Sequence, residues 1–395
     1  MTAFVRVPEL EAAEPVEQDG AAFTVEFVAD LAVVEPLWRE LQDKGVCSPY
    51  QRYDWVKAYA DAFAAAEGFA PRILLVRDAL QRPCLLLPLG VARRHGITTA
   101  APLGGKHANY HLPILTLEAP SPAALRPLLR EAGRRLGIDT YVFGNCPLAW
   151  RGVPNPIAQG GRPSPSNGYR LALDPDCESS LKRAFSAETR KKLRKKEKRL
   201  GQLGPVIHLL ARTEAEVERI LAAFHDQKRA RFRELGIANP FEDAPAQAFI
   251  RAAAFAGLAE GRPAIELHAL LAGERIVATF GAAIDPSRCC GMFNSFDTEA
   301  EIARSSPGEL LTIAVIRACC GAGRSVFDLG VGEARYKSSV CEEAEELVDV
   351  TLPVTARGRL YAATRDALQR VKRLVKRTPW VWRLIGAARR AARRA

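Results

Sequence analysis

At 395 residues, with a formal net charge of +11, the chain is long enough for two or three domains, each with a hydrophobic core. Its 48% hydrophobic and 26% charged residues are typical of a globular protein. No apolar run reaches the roughly 18 residues that span a bilayer, and residues 1–20 lack the apolar core of a signal peptide. These features predict a cytoplasmic protein.

The positive charge is concentrated in two stretches. From Arg357 onward the chain holds 13 Lys and Arg against one acid, Asp366, so the other 356 residues sum to about −1. Inside the chain, the stretch 182–199 holds ten basic residues against Glu188 and Glu197. The basicity therefore belongs to a tail and to one internal segment.

Nine cysteines are spread along the chain, at positions 47, 84, 146, 177, 289, 290, 319, 320 and 341. They form no CxxC pair, and no histidine has a spacing suited to zinc. Most lie in apolar runs, where a free thiol behaves as a small hydrophobic side chain. The pattern predicts reduced, structural cysteines and no metal site.

The first half of the chain alternates between helical and strand-like patterns. Residues 1–21 are acidic and contain proline, and we predict that they are disordered. A connector rich in Pro, Gly and Ser ends this half at 151–168. Between them, periodicity and turn residues predict a strand at 23–28, helices at 31–43 and from Pro49, strands at 72–77 and 84–91, a Gly-rich loop and strand at 103–115, a helix at 122–136 and a strand at 140–145.

The second half repeats this order of elements. It predicts a basic helix at 181–200, a strand at 206–210, helices at 214–233 and 245–260, a hairpin at 265–285, a strand at 288–296, and then helix, strand and helix up to 337. Two copies of one α/β unit explain the repeat, and hairpins followed by a single crossover predict a mixed sheet in each. We assign the first unit to 22–170, the second to 171–355 and a tail to 356–395.

The most informative stretch is 294–337, which contains a well-marked helix start. Ser306 stands at the expected N-cap, Pro307 follows at the first helical position, and Glu309 completes a capping box. Gly308 leaves the first-turn amides open to approach, and these amides and the helix dipole attract anions such as phosphate. Glu309 would compete with such an anion. The pattern predicts either an anion site or a capped buried helix without a ligand.

Three patches of the second half resemble the Gcn5-related N-acetyltransferase (GNAT) superfamily. They are FSAETRKKLRKKEKRLGQLG at 185–204, HDQKRARFRELG at 225–236, and SSPGELL followed by FDLGVGEARYK within 305–337. More narrowly, they resemble the CelD- or BcsL-like branch associated with cellulose biosynthesis, which is related to the Fem-type aminoacyl transferases. SPYQRYDWVKAY and LLLPLG match this branch in the first half. The resemblance, over roughly residues 22–355, implies an α/β fold of two tandem GNAT-like units.

The resemblance also implies acyl transfer from acetyl-CoA or another acyl-CoA as cosubstrate. The usual donor loop of the superfamily, Arg/Gln-x-x-Gly-x-Gly/Ala, is not matched, because the stretch 304–308 keeps one glycine and adds a proline. The identity of the acyl carrier, acyl-CoA or charged tRNA, is therefore open. The candidates for donor binding are Ser305, Ser306, Pro307, Gly308 and Lys337.

Tyr336 stands where GNAT-like enzymes often carry the acid that protonates the departing thiolate, just after the fifth strand. Glu333, in the loop that leaves this strand, is the candidate base for the acceptor amine, although ordered water could serve instead. The candidates for substrate binding are His225 and Arg229, one helical turn apart, and Asn294 and Asp297, at the mouth of the loop before the helix. Each of these residues also has a purely structural interpretation, as a packed, exposed or turn-forming side chain.

The tail has an apolar stripe opposite its basic residues, and Pro379–Trp382 follows. This pattern is typical of a helix that lies in a membrane interface, and a helix docked on the protein body is the alternative. The basic stretch 182–199 lacks the interleaved aromatic residues that stack single-stranded bases. Nucleic acid is therefore not expected as a partner, except tRNA if the carrier is charged tRNA.

Together these features predict an acyl-CoA-dependent N-acyltransferase that transfers an acetyl group to a small-molecule acceptor. The resemblance implies a sugar or an exopolysaccharide-related precursor as acceptor, reached from the inner face of the cell membrane. The alternatives are a Fem-like aminoacyl-tRNA-dependent transferase and a non-catalytic accessory protein of a polysaccharide synthase. The sequence does not determine the oligomeric state.

Overall fold

The computed structural model describes residues 16–18 and 21–377, and two mixed β-sheets dominate it. The first half contributes β1 (Val16–Gln18), β2 (Ala21–Val28), α1 (Leu31–Lys44), α2 (Tyr53–Glu67), β3 (Ala70–Arg77), β4 (Pro83–Arg94), β5 (Ile97–Pro102), β6 (Ile114–Leu115), α3 (Pro122–Arg135), β7 (Thr140–Pro147), β8 (Ala149–Trp150), β9 (Val153–Pro154) and β10 (Arg162–Pro163). The strand β1 lies inside the segment predicted to be disordered, and the rest of that segment up to residue 20 is outside the described residues.

The second half contributes β11 (Gly168–Ala172), α4 (Cys177–Ala184), α5 (Ala187–Leu200), β12 (Val206–Leu210), α6 (Glu214–Leu235), α7 (Ala244–Phe255), β13 (Ile265–Ala272), β14 (Arg275–Ile284), β15 (Arg288–Phe296), α8 (Ala300–Ala303), α9 (Pro307–Gly321), β16 (Val326–Val331), α10 (Arg335–Val340), β17 (Glu343–Glu345), β18 (Leu347–Pro353) and α11 (Ala356–Arg377). The single basic helix predicted at 181–200 is two helices. Phe185 adopts an extended backbone and ends α4, and the Ser186 hydroxyl accepts from the Thr189 amide to begin α5.

One strand of the second half lies in the first sheet. The first sheet has the order β1-β2-β3-β4-β5-β7-β18-β10, with β6 beside β4, and the second has the order β12-β13-β14-β15-β16-β11-β17. Strand β11, which follows the first half directly, pairs with β16, and strand β18, from the end of the second half, pairs with β7. The first sheet is therefore completed by a strand that the order of the chain alone would place in the second.

The two halves also share one hydrophobic core. Helix α2 packs against α7, where the Trp55 and Phe249 rings meet edge to face with centroids 5.0 Å apart. Both rings are fully buried. Burial of large aromatic side chains from both halves is a strong apolar contribution to stability, so this contact holds the second half in a fixed place relative to the first.

The last helix, α11, docks on the first sheet near its start. Gly358 lies so close to strand β7 that an added Cβ would be 1.8 Å from the Asp139 carbonyl oxygen. Further along, Asp366 pairs with Arg162 at 2.8 Å. None of the described helices is long and apolar enough to cross a membrane. The predicted interfacial residues Pro379–Trp382 lie outside the described residues.

Candidate active site

The second sheet opens between two parallel strands. β15 and β16 pair only over three residues, Arg288–Cys290 with Val326–Asp328. Beyond that point β15 continues beside β14, up to Phe296, and β16 continues beside β11, with which it pairs along its whole length. The two strands therefore diverge and leave a gap between exposed backbone groups, which must find other partners.

One side chain from the first half bridges this gap. Asn109 Nδ2 donates to the Gly291 carbonyl oxygen at 3.0 Å and to the Tyr50 hydroxyl at 2.6 Å, while Asn109 Oδ1 accepts from the Val331 amide at 3.2 Å. Gly330 permits this approach, because an added Cβ there would lie 2.6 Å from Asn109 Nδ2. The Asn109 side-chain amide thus replaces backbone hydrogen bonds between the diverging strands. From the sequence, the loop that contains Asn109 was noted only as rich in glycine.

Two of the predicted residues meet at the open end of the gap. Asn294, on β15, lies beside the Tyr336 hydroxyl, on α10. Burial raises the pKa of Tyr336 above its usual value, and the neighbouring Asn294 side chain partly opposes that rise. Although 46% of the Tyr336 side chain is exposed, its phenol remains protonated at neutral pH. A protonated phenol beside an amide has the chemistry of a proton donor.

The start of helix α9 lies beside the same open end, since Phe296 of β15 is the nearest neighbour of Gly308. The capping box predicted here is wrong. Ser306 adopts a left-handed conformation, with φ of +49°, and its side chain does not cap the helix. Its hydroxyl instead accepts from Lys196 Nζ, on the basic helix α5, at 2.6 Å. The same ammonium lies 3.7 Å from Glu309, so a cation stands at the first turn of α9.

The other predicted residues of this region face inward or toward β11. Lys337 is buried, and its ammonium donates to the carbonyl oxygens of Gly330 at 3.2 Å and Val331 at 3.0 Å. Burial lowers the pKa of Lys337. Glu333 accepts from the Tyr169 hydroxyl and, at 3.3 Å, from the Asn167 amide. Both charged groups therefore already have protein partners. Ser305 is buried, and its hydroxyl has no partner in the described part of the chain.

Three predicted substrate contacts, His225, Arg229 and Asp297, pack against or pair with other residues. His225 is half-buried on α6 beside Phe224, and burial lowers its pKa. Arg229 pairs with Asp226 at 2.7 Å, and Asp297 pairs with Arg275 at 2.5 Å. These ion pairs supply a structural role for Arg229 and Asp297, and the substrate role of all three residues stays a prediction.

A buried ion cluster at the closed end of the gap was not found by sequence reasoning. Arg288 donates to Asp328 at 2.5 and 2.9 Å and to Glu345 at 2.6 Å. Its guanidinium stacks on Trp150 at 4.1 Å and Tyr110 at 5.0 Å, both from the first half. The cluster ties β15, β16 and β17 to the first half. Its members are far apart in the sequence, and no motif marks them.

Comparison with known proteins agrees with this geometry. Residues 187–338 match the family model described as an acetyltransferase (GNAT) domain. No curated protein sequence matches the chain. The matched region contains the open gap, helix α9 and the turn that carries Tyr336. This part of the second half is therefore similar to a GNAT acetyltransferase domain, and the predicted enzyme class, a transferase of acyl groups, is confirmed.

Solved structures share the fold over most of the chain at low sequence identity. FemX is 9% identical, with a TM-score of 0.54, over 78% of this chain and 92% of its own. The C-terminal domain of a putative lysylphosphatidylglycerol synthetase from Agrobacterium fabrum is 11% identical, with a TM-score of 0.53, over 86% and 98%. A protein of unknown function from Bacteroides thetaiotaomicron is 11% identical, with a TM-score of 0.52, over 82% and 99%. The predicted fold, two tandem GNAT-like α/β units, is confirmed.

Proposed function

We propose that the protein is an acyl-CoA-dependent N-acyltransferase that transfers an acetyl group to a sugar or an exopolysaccharide-related precursor. The observation that carries the proposal is the open end of β15 and β16, where the Tyr336–Asn294 pair lies beside the first turn of α9. The sugar-type acceptor comes from the resemblance of the sequence patches and not from the site. The CelD- or BcsL-like assignment remains part of this proposal.

The donor would be held at the start of α9. Helix dipole, first-turn amides and the Lys196 ammonium all favour a negatively charged phosphate there. Gly308 leaves room, because the nearest atom to an added Cβ is 3.9 Å away. A diphosphate would draw Lys196 from Ser306 and Glu309 to itself, since an ion pair with phosphate is stronger than one partly exposed contact to a carboxylate.

The reaction would then need few protein groups. The acceptor amine attacks the thioester carbonyl carbon, the carbon–sulfur bond breaks, and the thiolate takes a proton from the Tyr336 hydroxyl. The amine proton leaves to Glu333 or to ordered water. Tyr169 and Asn167 already donate to Glu333, so the amine would compete with these two donors for its carboxylate oxygens.

The test is release of CoA from acetyl-CoA in the presence of amino sugars such as glucosamine. Tyr336→Phe should lower kcat by roughly 100-fold without changing the Kd of acetyl-CoA, because only the proton donor is lost. Tyr361→Phe, on α11, is the matched control. Full activity in Tyr336→Phe would remove this residue from the mechanism, and full activity in Glu333→Gln would assign the amine proton to water.

A second candidate function is aminoacyl transfer from charged tRNA. It is favoured by the basic helix α5, whose exposed cations include Lys191, Lys192, Lys195 and Lys198. Two of the structures that share the fold are named FemX and a putative lysylphosphatidylglycerol synthetase. Retention of tRNA at moderate salt, without heat released on acetyl-CoA addition, would favour this candidate. Heat release with acetyl-CoA and no tRNA retention would exclude it.

We also propose that α11 rests on an anionic membrane surface. Leu360, Leu368 and Val371 share one face of the helix and are 70%, 70% and 60% exposed. This apolar stripe is therefore not used to dock α11 on the protein body. Apolar side chains on one face and Arg on the others fit a helix that lies in the headgroup region.

Vesicle sedimentation tests this surface. The full chain should sediment with vesicles that contain phosphatidylglycerol and stay in solution with pure phosphatidylcholine. Leu368→Asp combined with Val371→Asp should abolish sedimentation. Leu117→Asp is the matched control, because Leu117 is 93% exposed and lies far from α11 in the sequence. Equal sedimentation of the double variant and the control would contradict the proposal.

A further inference from the structure

A cavity of about 510 Å³ lies between the basic helix α5 and helix α9, above strands β12 and β13. Strand β14 separates these strands from β15, so the cavity is apart from the gap that contains Tyr336. Its volume is in the range of small-molecule sites. Each of these four elements contributes apolar side chains to its wall, among them Leu193, Val206, Leu270, Leu310 and Ala314.

The imidazole of His208, which is part of this wall, is uncharged at neutral pH. His208 Nε2 lies 3.1 Å from His268 Nδ1, and His268 Nε2 lies 3.5 Å from Glu266. The carboxylate, fixed by two bonds from Arg324 at 2.6 and 2.7 Å, favours the proton on His268 Nε2, so His208 donates to His268. Burial lowers the pKa of His208 to about 4. The interior of the cavity therefore carries no positive charge at neutral pH.

The rim of the cavity is cationic. Arg190, Arg194 and Arg317 line it, against Glu178 and Glu197. Arg317 pairs with Glu178 at 3.4 Å. The buried Nε of Arg190 has no hydrogen-bond acceptor in the described part of the chain. A buried guanidinium N–H without an acceptor costs free energy, and an anion at the rim would satisfy it.

An apolar interior and a cationic rim are complementary to a molecule with an aliphatic chain and one acidic head. We propose that this cavity is a second binding site, for a long-chain carboxylate whose chain lies against α9 and whose head meets Arg190 and Arg194. This assigns a role to the α5 residues that line the cavity, which do not include Lys196. Lys196 contacts the start of α9, whereas Arg190 and Arg194 line the cavity.

Calorimetric titration of the full chain with dodecanoate, below its micelle concentration, tests the site. Dodecanoate should bind at a single site. The Kd of dodecanol should be at least about ten-fold higher, because dodecanol lacks the negative charge that pairs with the guanidinium groups. Arg190→Gln should weaken dodecanoate by a similar factor. Lys191→Gln is the matched control, since it removes an exposed cation from the same helix that does not line the cavity.

A second variant keeps the proposal testable if Arg190→Gln unfolds. Ala314→Leu adds a good helix former that fills the cavity from α9, and it should abolish dodecanoate binding while the melting temperature is retained. Equal binding of dodecanol and dodecanoate, unchanged binding in Ala314→Leu, or absence of dodecanoate binding would overturn the proposal. Competitive displacement of dodecanoate by acetyl-CoA would also overturn it, because the cavity would then belong to the donor site.

Discussion

Asn109 joins the two halves at the open gap, and its truncation gives a quantitative prediction. Asn109→Ala removes three hydrogen bonds, to Tyr50, Gly291 and Val331. Each is worth about 1 kcal/mol, and the Tyr50 hydroxyl, on a fully buried residue, loses its partner. We expect the free energy of unfolding to fall by about 3 kcal/mol. Lys106→Ala, an exposed residue in the same loop, should change it by less than about 0.5 kcal/mol.

Urea denaturation followed by circular dichroism measures this loss as a shift of the midpoint at constant slope. Asn109→Asp should also destabilise the protein, because a carboxylate would face the Gly291 carbonyl oxygen in place of the amide donor. A loss below about 1 kcal/mol in Asn109→Ala, or a loss equal to that of Lys106→Ala, would refute the bridging role. Because Lys106 and Asn109 lie in the same loop, the difference between Asn109→Ala and Lys106→Ala measures the contribution of the Asn109 amide.

Three further predictions concern buried contacts. Arg288→Met should lower the free energy of unfolding by about 3–5 kcal/mol in urea titrations, because Asp328 is left buried and unpaired, and Arg288→Met with Asp328→Leu should recover part of it. Burial lowers the pKa of Lys228 to about 8 in the folded state. Between about pH 8 and 10.5 the unfolded state therefore binds more protons than the folded state, and the free energy of unfolding rises with pH. Lys228→Met should remove this rise relative to the wild type. Gly358→Ala should detach α11, seen as faster trypsin cleavage after residue 357, whereas Ala363→Gly should not.

The sequence predicts most of the helices and strands because their patterns are local. Periodicity identified the hairpin of β13 and β14, whose first strand is buried throughout, and the helix α6, which the structure begins with a capping box of Thr213 and Glu216. The order of these elements was enough to predict two α/β units with mixed sheets. The nine cysteines are free thiols in the structure.

What the sequence did not reveal depends on contacts between distant segments. The pairing of β18 with β7 of the first half is a choice of partner strand, and an alternating pattern is the same for any partner. The predicted N-cap hydrogen bond of Ser306 does not form, because Ser306 has a left-handed backbone and its hydroxyl accepts from Lys196, 110 residues away in the sequence. The bridging role of Asn109 is likewise invisible in its loop. The sequence predicts the site within residues 294–337, and side chains of the first half, such as Asn109, hold its two strands in place.

The central claim is that the start of α9, with Lys196, holds the phosphates of an acyl-CoA donor. Calorimetric titration of acetyl-CoA into the wild type, Lys196→Gln and Lys192→Gln tests it most directly, because Lys192 is an exposed cation of the same helix, where it pairs with Glu188. We expect binding to the wild type and to Lys192→Gln with equal Kd, and a Kd about ten-fold higher for Lys196→Gln. Absence of binding to the wild type, or equal binding to all three, would contradict the account.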